Sequence, residues 1–328
     1  MIDLEAFDQA YAKRQIVLSL DAQLFPEQVR FLNDPAYLKA LLCARRAGKT
    51  TVMGVGLLRQ ALRFPNRKFL YLGLTKEAAE EAIWTDVLEK VLLEKFPGGD
   101  EYDYNSTSKV LSFRNGSSIR LGGVDASPRD MSRLLGRKYS EVDIDECQDH
   151  TQDLQTLLED KLQPLVNDYR GKGGGRIVLA GTPGVKMGGH FWYRVTKHDT
   201  DGEPDPGRLP GWSVHEWASA KNPNYVEQFL DYCREQELID PNFRSDPGFR
   251  RRYLGKWVLS ADFFVYRYTP ANDVTDPELR RSLRGGSSRW TYIFGIDLGW
   301  NDYTTIVVLA YCFTDRSCYV VQSEQFNH

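Results

Sequence analysis

At 328 residues the chain is long enough for two domains, and its 41% hydrophobic content supplies an ordinary buried core. A net charge of −3 gives no bulk signal for a nucleic-acid partner, so any phosphate contact has to come from local patches. Five scattered cysteines without a CxxC pair argue against a disulfide framework or zinc site. The start, MIDLEAFDQAYAKRQ, has no basic-then-apolar secretory pattern and no apolar run is long enough to span a bilayer, so we expect no membrane association.

The opening third alternates strand-like apolar runs with helical periodicity, the pattern of βαβ units and a mainly parallel sheet. Ala40 to Ala44 reads as a buried strand and Thr50 to Phe64 as the helix after it. Phe69 to Leu74 is the next strand, and Thr75 opens a helix with an acidic first turn. Lys109 to Phe113 and Ser118 to Leu121 form a hairpin through Asn115-Gly116. A third parallel strand runs up to Asp145 and a fourth covers Arg176 to Ala180. Asp199 to Pro210 is a polar loop, followed by a helical region to about Trp257 in which Arg244, Arg250, Arg251, Arg252 and Lys256 interleave with Phe249, Tyr253 and Trp257. Those cations can meet phosphates, or the stretch can be a solvated helix face packing its aromatics inward. A loop-rich passage precedes three apolar β-rich runs, TYIFGIDLGW, TTIVVLAYCF and CYVVQSE. We expect a first α/β domain over 1–260 with a small helical lid-like region at about 212–260, a linker over 261–289, and an incomplete second domain over 290–328.

The chemistry concentrates in two short stretches. Cys43, Ala44, Arg45, Arg46, Ala47, Gly48, Lys49, Thr50 and Thr51 lie between a strand and a helix. A phosphate-binding loop needs inward N–H groups, a Gly for close approach, a Lys for the β/γ oxygens and a hydroxyl for Mg²⁺. Cys43 replaces the first Gly of the general pattern. In EVDIDE, Asp145 is placed to orient Mg²⁺ and Glu146 to polarise water as general base. Asp143 fits poorly, because a charge in a buried strand is costly unless paired, and an edge or locally open strand would relieve it. Gln28 upstream can meet an adenine edge, although a lone Gln in a turn is usually solvated, and Thr182 after the fourth strand can sense the γ-phosphate, although turn chemistry alone would also explain it.

Together these motifs resemble the large terminase subunit of tailed double-stranded DNA bacteriophages. The resemblance rests on Pro26 and Gln28, the loop CARRAGKTT, YLGLTKEAAEEAIW, SFRNGSSIRLGG, the strand VDIDE and LAGTPG, over roughly residues 20 to 260. It implies a RecA-like P-loop NTPase of the ASCE class, followed by a truncated RNase H-like α/β nuclease domain. It further implies ATP and Mg²⁺ as cofactors, Arg45 acting on the phosphates in cis, Gln28 on adenine, and an Arg reaching a neighbouring subunit's nucleotide. Either Arg133 or Arg137 can take that last role, Arg133 being favoured. The implied activity is packaging of double-stranded DNA into a procapsid in the host cell cytoplasm. The implied partners are a small terminase subunit, the portal protein and a homo-oligomeric ring, a pentamer when docked.

Asp297 in GIDLG resembles the first acid of the nuclease site, which would take Mg²⁺ or Mn²⁺. Asp302 could support it or simply close a turn. Glu324 comes too soon for the second acid, and we expect the remaining acids beyond His328 and no DNA cleavage by these residues alone. Two rival readings are a RecA-like helicase or DNA-repair ATPase, and a nucleotide-regulated DNA-binding or scaffold module.

Overall fold

The computed structural model describes residues 19–21, 24–96, 99, 101–150, 153–185, 190–198, 205–258, 272–284, 288–297 and 304–326. The chain divides into two compact units, 1–260 and 261–328. In the first, β1 (Leu38–Cys43), β2 (Lys68–Gly73) and β7 (Arg176–Gly181) are short runs buried along most of their length, as strands of a parallel sheet covered on both faces must be. With β3 (Tyr102–Asn105), β4 (Val110–Phe113), β5 (Ser118–Gly123), β6 (Glu141–Ile144) and β8 (Ser213–Trp217) they form one eight-stranded sheet of order β3-β4-β5-β2-β6-β7-β1-β8. β5, β2, β6, β7, β1 and β8 run parallel, and β4 pairs antiparallel with both β3 and β5. The β4–β5 hairpin turns at Gly116, whose φ of 79° is left-handed and suits glycine.

Strand alternation splits the core into two layers. On one face, Leu41, Phe69, Tyr71, Ile119 and Val178 pack against Val52, Met53 and Leu57 of the helix Lys49–Arg63. On the other, Leu42, Leu70, Val142 and Leu179 pack against Leu157, Leu158, Leu162 and Trp192. The helix begun at Thr75 spans 76–95, with Glu80–Leu88 in π-helical form.

Three expectations change. Asp143 sits on neither an edge nor an open strand: β6 is central, and the side chain is 2% exposed. Burial, reinforced by the Glu141 charge, pushes its carboxyl well above the usual carboxylate range, so the neutral form avoids the cost of a buried ion. Residues 213–217, within the region expected to be helical, form β8 on the edge beside β1. The passage expected as linker contains a helix, Pro277–Arg284, whose Leu283 packs with Trp290, Ala310 and Cys312. Apolar burial therefore draws part of that passage into the second unit.

The second unit is a three-stranded antiparallel sheet of β9 (Thr291–Asp297), β10 (Thr304–Tyr311) and β11 (Cys318–Phe326), with β10 in the middle. No helix among the described residues is long and apolar enough to cross a membrane.

Candidate nucleotide-binding site

The three strands β1, β7 and β6 are neighbours in the sheet, and parallel pairing brings their carboxyl ends to one edge. Open α/β sheets bind ligands at such an edge. The chain leaving β1 becomes the loop 44–48, the chain leaving β6 carries Asp145 and Glu146, and the chain leaving β7 carries Thr182. A cleft of about 770 Å³ opens there, lined by Arg45 to Thr51, Glu146 and Thr182 and by Asn222, Tyr225 and Gln228.

Gly48 caps the helix Lys49–Arg63 in a left-handed conformation (φ 77°), and a Cβ there would fall 2.7 Å from Gln28 Nε2. Both facts demand glycine. Lys49 is 8% exposed and its Nζ donates to the Ala44 carbonyl at 3.1 Å, which aligns the ammonium across the loop. The Thr50 hydroxyl donates to Asp145 Oδ2 at 3.3 Å, and the buried Tyr71 hydroxyl donates to the same oxygen at 2.7 Å. Burial first, then the Asp145 charge, drives the Tyr71 phenol well above its ordinary pKa, so it stays a donor. Hydroxyl and carboxylate oxygens form the donor set a hard cation such as Mg²⁺ prefers, and their closeness fits shared ligation. Glu146 has a left-handed φ of 53°, its N–H donates to Asp145 Oδ1 at 2.8 Å, and its carboxylate accepts from Gln148 Nε2. His150 Nε2 lies 2.9 Å from the Asp145 carbonyl oxygen, and burial lowers the pKa of that imidazole.

Some expected residues take other positions. Cys43 is fully buried in the core beneath the loop, and Ala44 contributes its carbonyl to Lys49 and its N–H to the Trp217 carbonyl. Neither lines the cleft, and burial pushes the Cys43 thiol up, leaving it a neutral packing group. Gln28, 3% exposed, donates to the Gly48 carbonyl at 2.9 Å and accepts from the Phe25 N–H at 3.4 Å, so its amide braces the loop. Arg133 and Arg137 line a separate cleft of about 650 Å³ with Lys76 and Arg120. Burial, then the nearby Arg137 charge, lowers the pKa of Arg120.

Asp297 ends β9, in register with Thr305 and Gln325, whereas Glu324 is in register with Ile306 one row away. Adjacent rows face opposite sides of a sheet, so Glu324 does not join Asp297. Among the described residues no three His, Cys, Asp or Glu side chains converge as a metal cluster. Asp302 lies outside the described residues. In the basic stretch, the aromatics do pack inward: Phe249 stacks on Phe229, and Tyr253 joins them.

No local sequence pattern marks the strap that holds the loop. Trp217 Nε1, Ser219 Oγ and Asn222 Nδ2 donate at 2.7 Å to the carbonyls of Ala47, Arg45 and Arg46 respectively. The Arg45 N–H donates to the Arg252 carbonyl at 2.7 Å. With its carbonyls held outward, the loop keeps the remaining N–H groups free for an anion.

Comparison with known proteins follows this geometry. No family model matches the chain. The large terminase subunit of Escherichia phage T5 is 22% identical over 306 residues, covering 90% of this chain. The chain spans 61% of that relative's length. The solved ATPase domain of the Thermus phage P74-26 large terminase superposes with a TM-score of 0.52 at 18% identity, covering 72% of this chain and 94% of that domain. A variant of the same domain gives 0.51 at 19% identity. Over most of its length the chain is thus similar in sequence to a phage large terminase subunit, and over 72% of it shares the fold of a solved terminase ATPase domain.

Proposed function

We propose that this chain is the motor of a phage DNA-packaging machine, hydrolysing ATP to move double-stranded DNA into a procapsid. The observation that carries the proposal is the convergence of Lys49, Thr50, Asp145, Glu146 and Thr182 at the ends of three adjacent strands. Lys49 and the loop N–H groups bind the β/γ phosphates, with Arg45 beside them. Thr50 and Asp145 hold Mg²⁺, which when bound neutralises charge on the phosphate oxygens. Glu146 takes the proton of the attacking water, and Thr182 senses the terminal phosphate. Tyr225 and Gln228 also line the cleft.

The relatives' names support a phage large terminase subunit. From the resemblance of the motifs we extend this to a ring, a pentamer when docked, working on double-stranded DNA with a portal protein and a small subunit in the host cell cytoplasm. We further propose that the second unit opens a nuclease fold, with Asp297 as its first metal ligand.

The test is Glu146→Gln. The variant should bind ATP with near-normal affinity and lose about 10²- to 10⁴-fold in turnover, the usual contribution of a positioned general base. Near-normal turnover would remove Glu146 from that role.

A further inference from the structure

Gln148, two residues past Glu146, makes hydrogen bonds with every polar group of its side chain. Its Nε2 donates to the Glu146 carboxylate and, at 2.8 Å, to Asp149 Oδ2; its Oε1 accepts the Thr182 N–H at 2.9 Å. The chemistry admits only this orientation of the amide, since a flip would press Oε1 against two carboxylates and leave the Thr182 N–H facing a donor. The neighbouring backbone is shaped for it. A Cβ on Gly181 would sit 2.5 Å from Gln148 Oε1, so glycine at that position makes room for the contact. Beyond Thr182, the buried Trp192 Nε1 donates to the Thr182 carbonyl at 3.0 Å. The peptides on both sides of Thr182 are thereby fixed, one to Gln148 and one to the core.

We infer that Gln148 is a positioning residue that ties the direction of the Glu146 carboxylate to the Thr182 backbone. The inference rests on the ATPase reading of the site. Glu146 holds a left-handed φ, a conformation that persists in a non-glycine residue only when its surroundings impose it. Its backbone is imposed by the Asp145 carboxylate and by the Cys147 N–H, which donates to the Ala180 carbonyl at 2.9 Å. Among the described residues, the side-chain hydrogen bond that aims its carboxylate comes from Gln148. One planar amide thus links the water-activating group to the loop that meets the terminal phosphate. A shift of the Thr182 peptide when that phosphate arrives or leaves moves the Gln148 amide, and the amide turns Glu146 toward or away from the attacking water.

The experiment is a double-mutant cycle on the full 328-residue chain, following ATP turnover and, separately, binding of a fluorescent ATP analogue. Gln148→Ala should lower kcat about 10- to 100-fold, the usual cost of removing a group that orients a functional side chain. Analogue affinity should stay within about twofold, because no Gln148 group reaches the loop 44–50. Gln148→Glu has the same shape and keeps an acceptor for Thr182, but sets a carboxylate against Glu146, so it should lose at least as much turnover while melting like wild type. In a Glu146→Gln background, Gln148→Ala should add no further loss in single-turnover hydrolysis, since it acts through Glu146. Full turnover in Gln148→Glu, or losses that simply add in the cycle, would overturn the inference and make Gln148 a structural brace. If wild type hydrolyses ATP and Glu146→Gln lowers it as proposed, that failure belongs to Gln148 alone. A wild type without turnover overturns the ATPase reading and this inference with it.

Discussion

Asp145 shows how much of the site is set by single atoms. Its Oδ1 accepts the Glu146 N–H, and its Oδ2 accepts both the Tyr71 and the Thr50 hydroxyls. The carboxylate is 3% exposed, so its position depends on those donors rather than on water. Tyr71→Phe keeps the ring and deletes one donor to a buried charge, a loss of about 1–3 kcal/mol. We expect a lower melting temperature together with a roughly tenfold higher Mg²⁺ requirement for turnover, because Tyr71 orients a metal ligand. A destabilised variant with an unchanged Mg²⁺ titration would assign Tyr71 to packing only. The placement of Lys49, Thr50, Asp145 and Glu146 together was legible because each is a distinctive residue type at or just past a strand end. Those of Trp217, Ser219 and Asn222 were not, because each bonds a loop residue 170 to 176 positions away and leaves no local pattern. Gln148 was equally silent: its partner Thr182 is 34 positions distant.

Among elements, β1, β2, β7 and the Asn115-Gly116 hairpin could be read directly, as apolar runs or paired strands bounded by turn chemistry. β8 could not: four of its five residues are only half-buried, and edge strands carry weak alternation. What holds it is tertiary: pairing with β1 and a contact at 2.7 Å between His215 Nε2 on β8 and Asp34 Oδ2 just past the helix Pro26–Asn33. Burial works to raise the Asp34 pKa, but the Ser213 and His215 hydrogen bonds outweigh it and hold the carboxyl below its usual range. The unfolded chain therefore takes up this proton first as pH falls. The stabilisation is present above about pH 4, the ordinary carboxylate value, and disappears as pH drops through the lower native pKa. Asp34→Asn should be less stable than wild type by about 1–2 kcal/mol at pH 7, with the gap closing in that acidic window. Denaturant unfolding at both pH values measures it; a gap independent of pH would mean that the ionised carboxylate contributes nothing. Because Trp217 follows on the same strand and holds Ala47, the variant should also bind nucleotide more weakly at pH 7.

For the whole molecule, the question is whether one subunit contains a complete site. Lys49 and Glu146 line one cleft, and Arg133 and Arg137 line another with Lys76 and Arg120. A cation that stabilises charge on the transferred phosphoryl is worth orders of magnitude in rate, and it can be supplied by a neighbour. If Arg133 is supplied this way, Arg133→Ala subunits keep a working Glu146 and Glu146→Gln subunits keep a working arginine. Each variant alone should turn over little ATP. Mixed and allowed to assemble, they should recover part of the wild-type rate, because one order of neighbours places an intact arginine beside an intact base. The recovered rate per subunit should rise with protein concentration, as expected of a site completed by assembly. A mixture no faster than the sum of its parts would rule out Arg133 as the shared residue. Recovery on repeating the mixture with Arg137→Ala would then transfer the role to Arg137, four residues along on the same cleft wall.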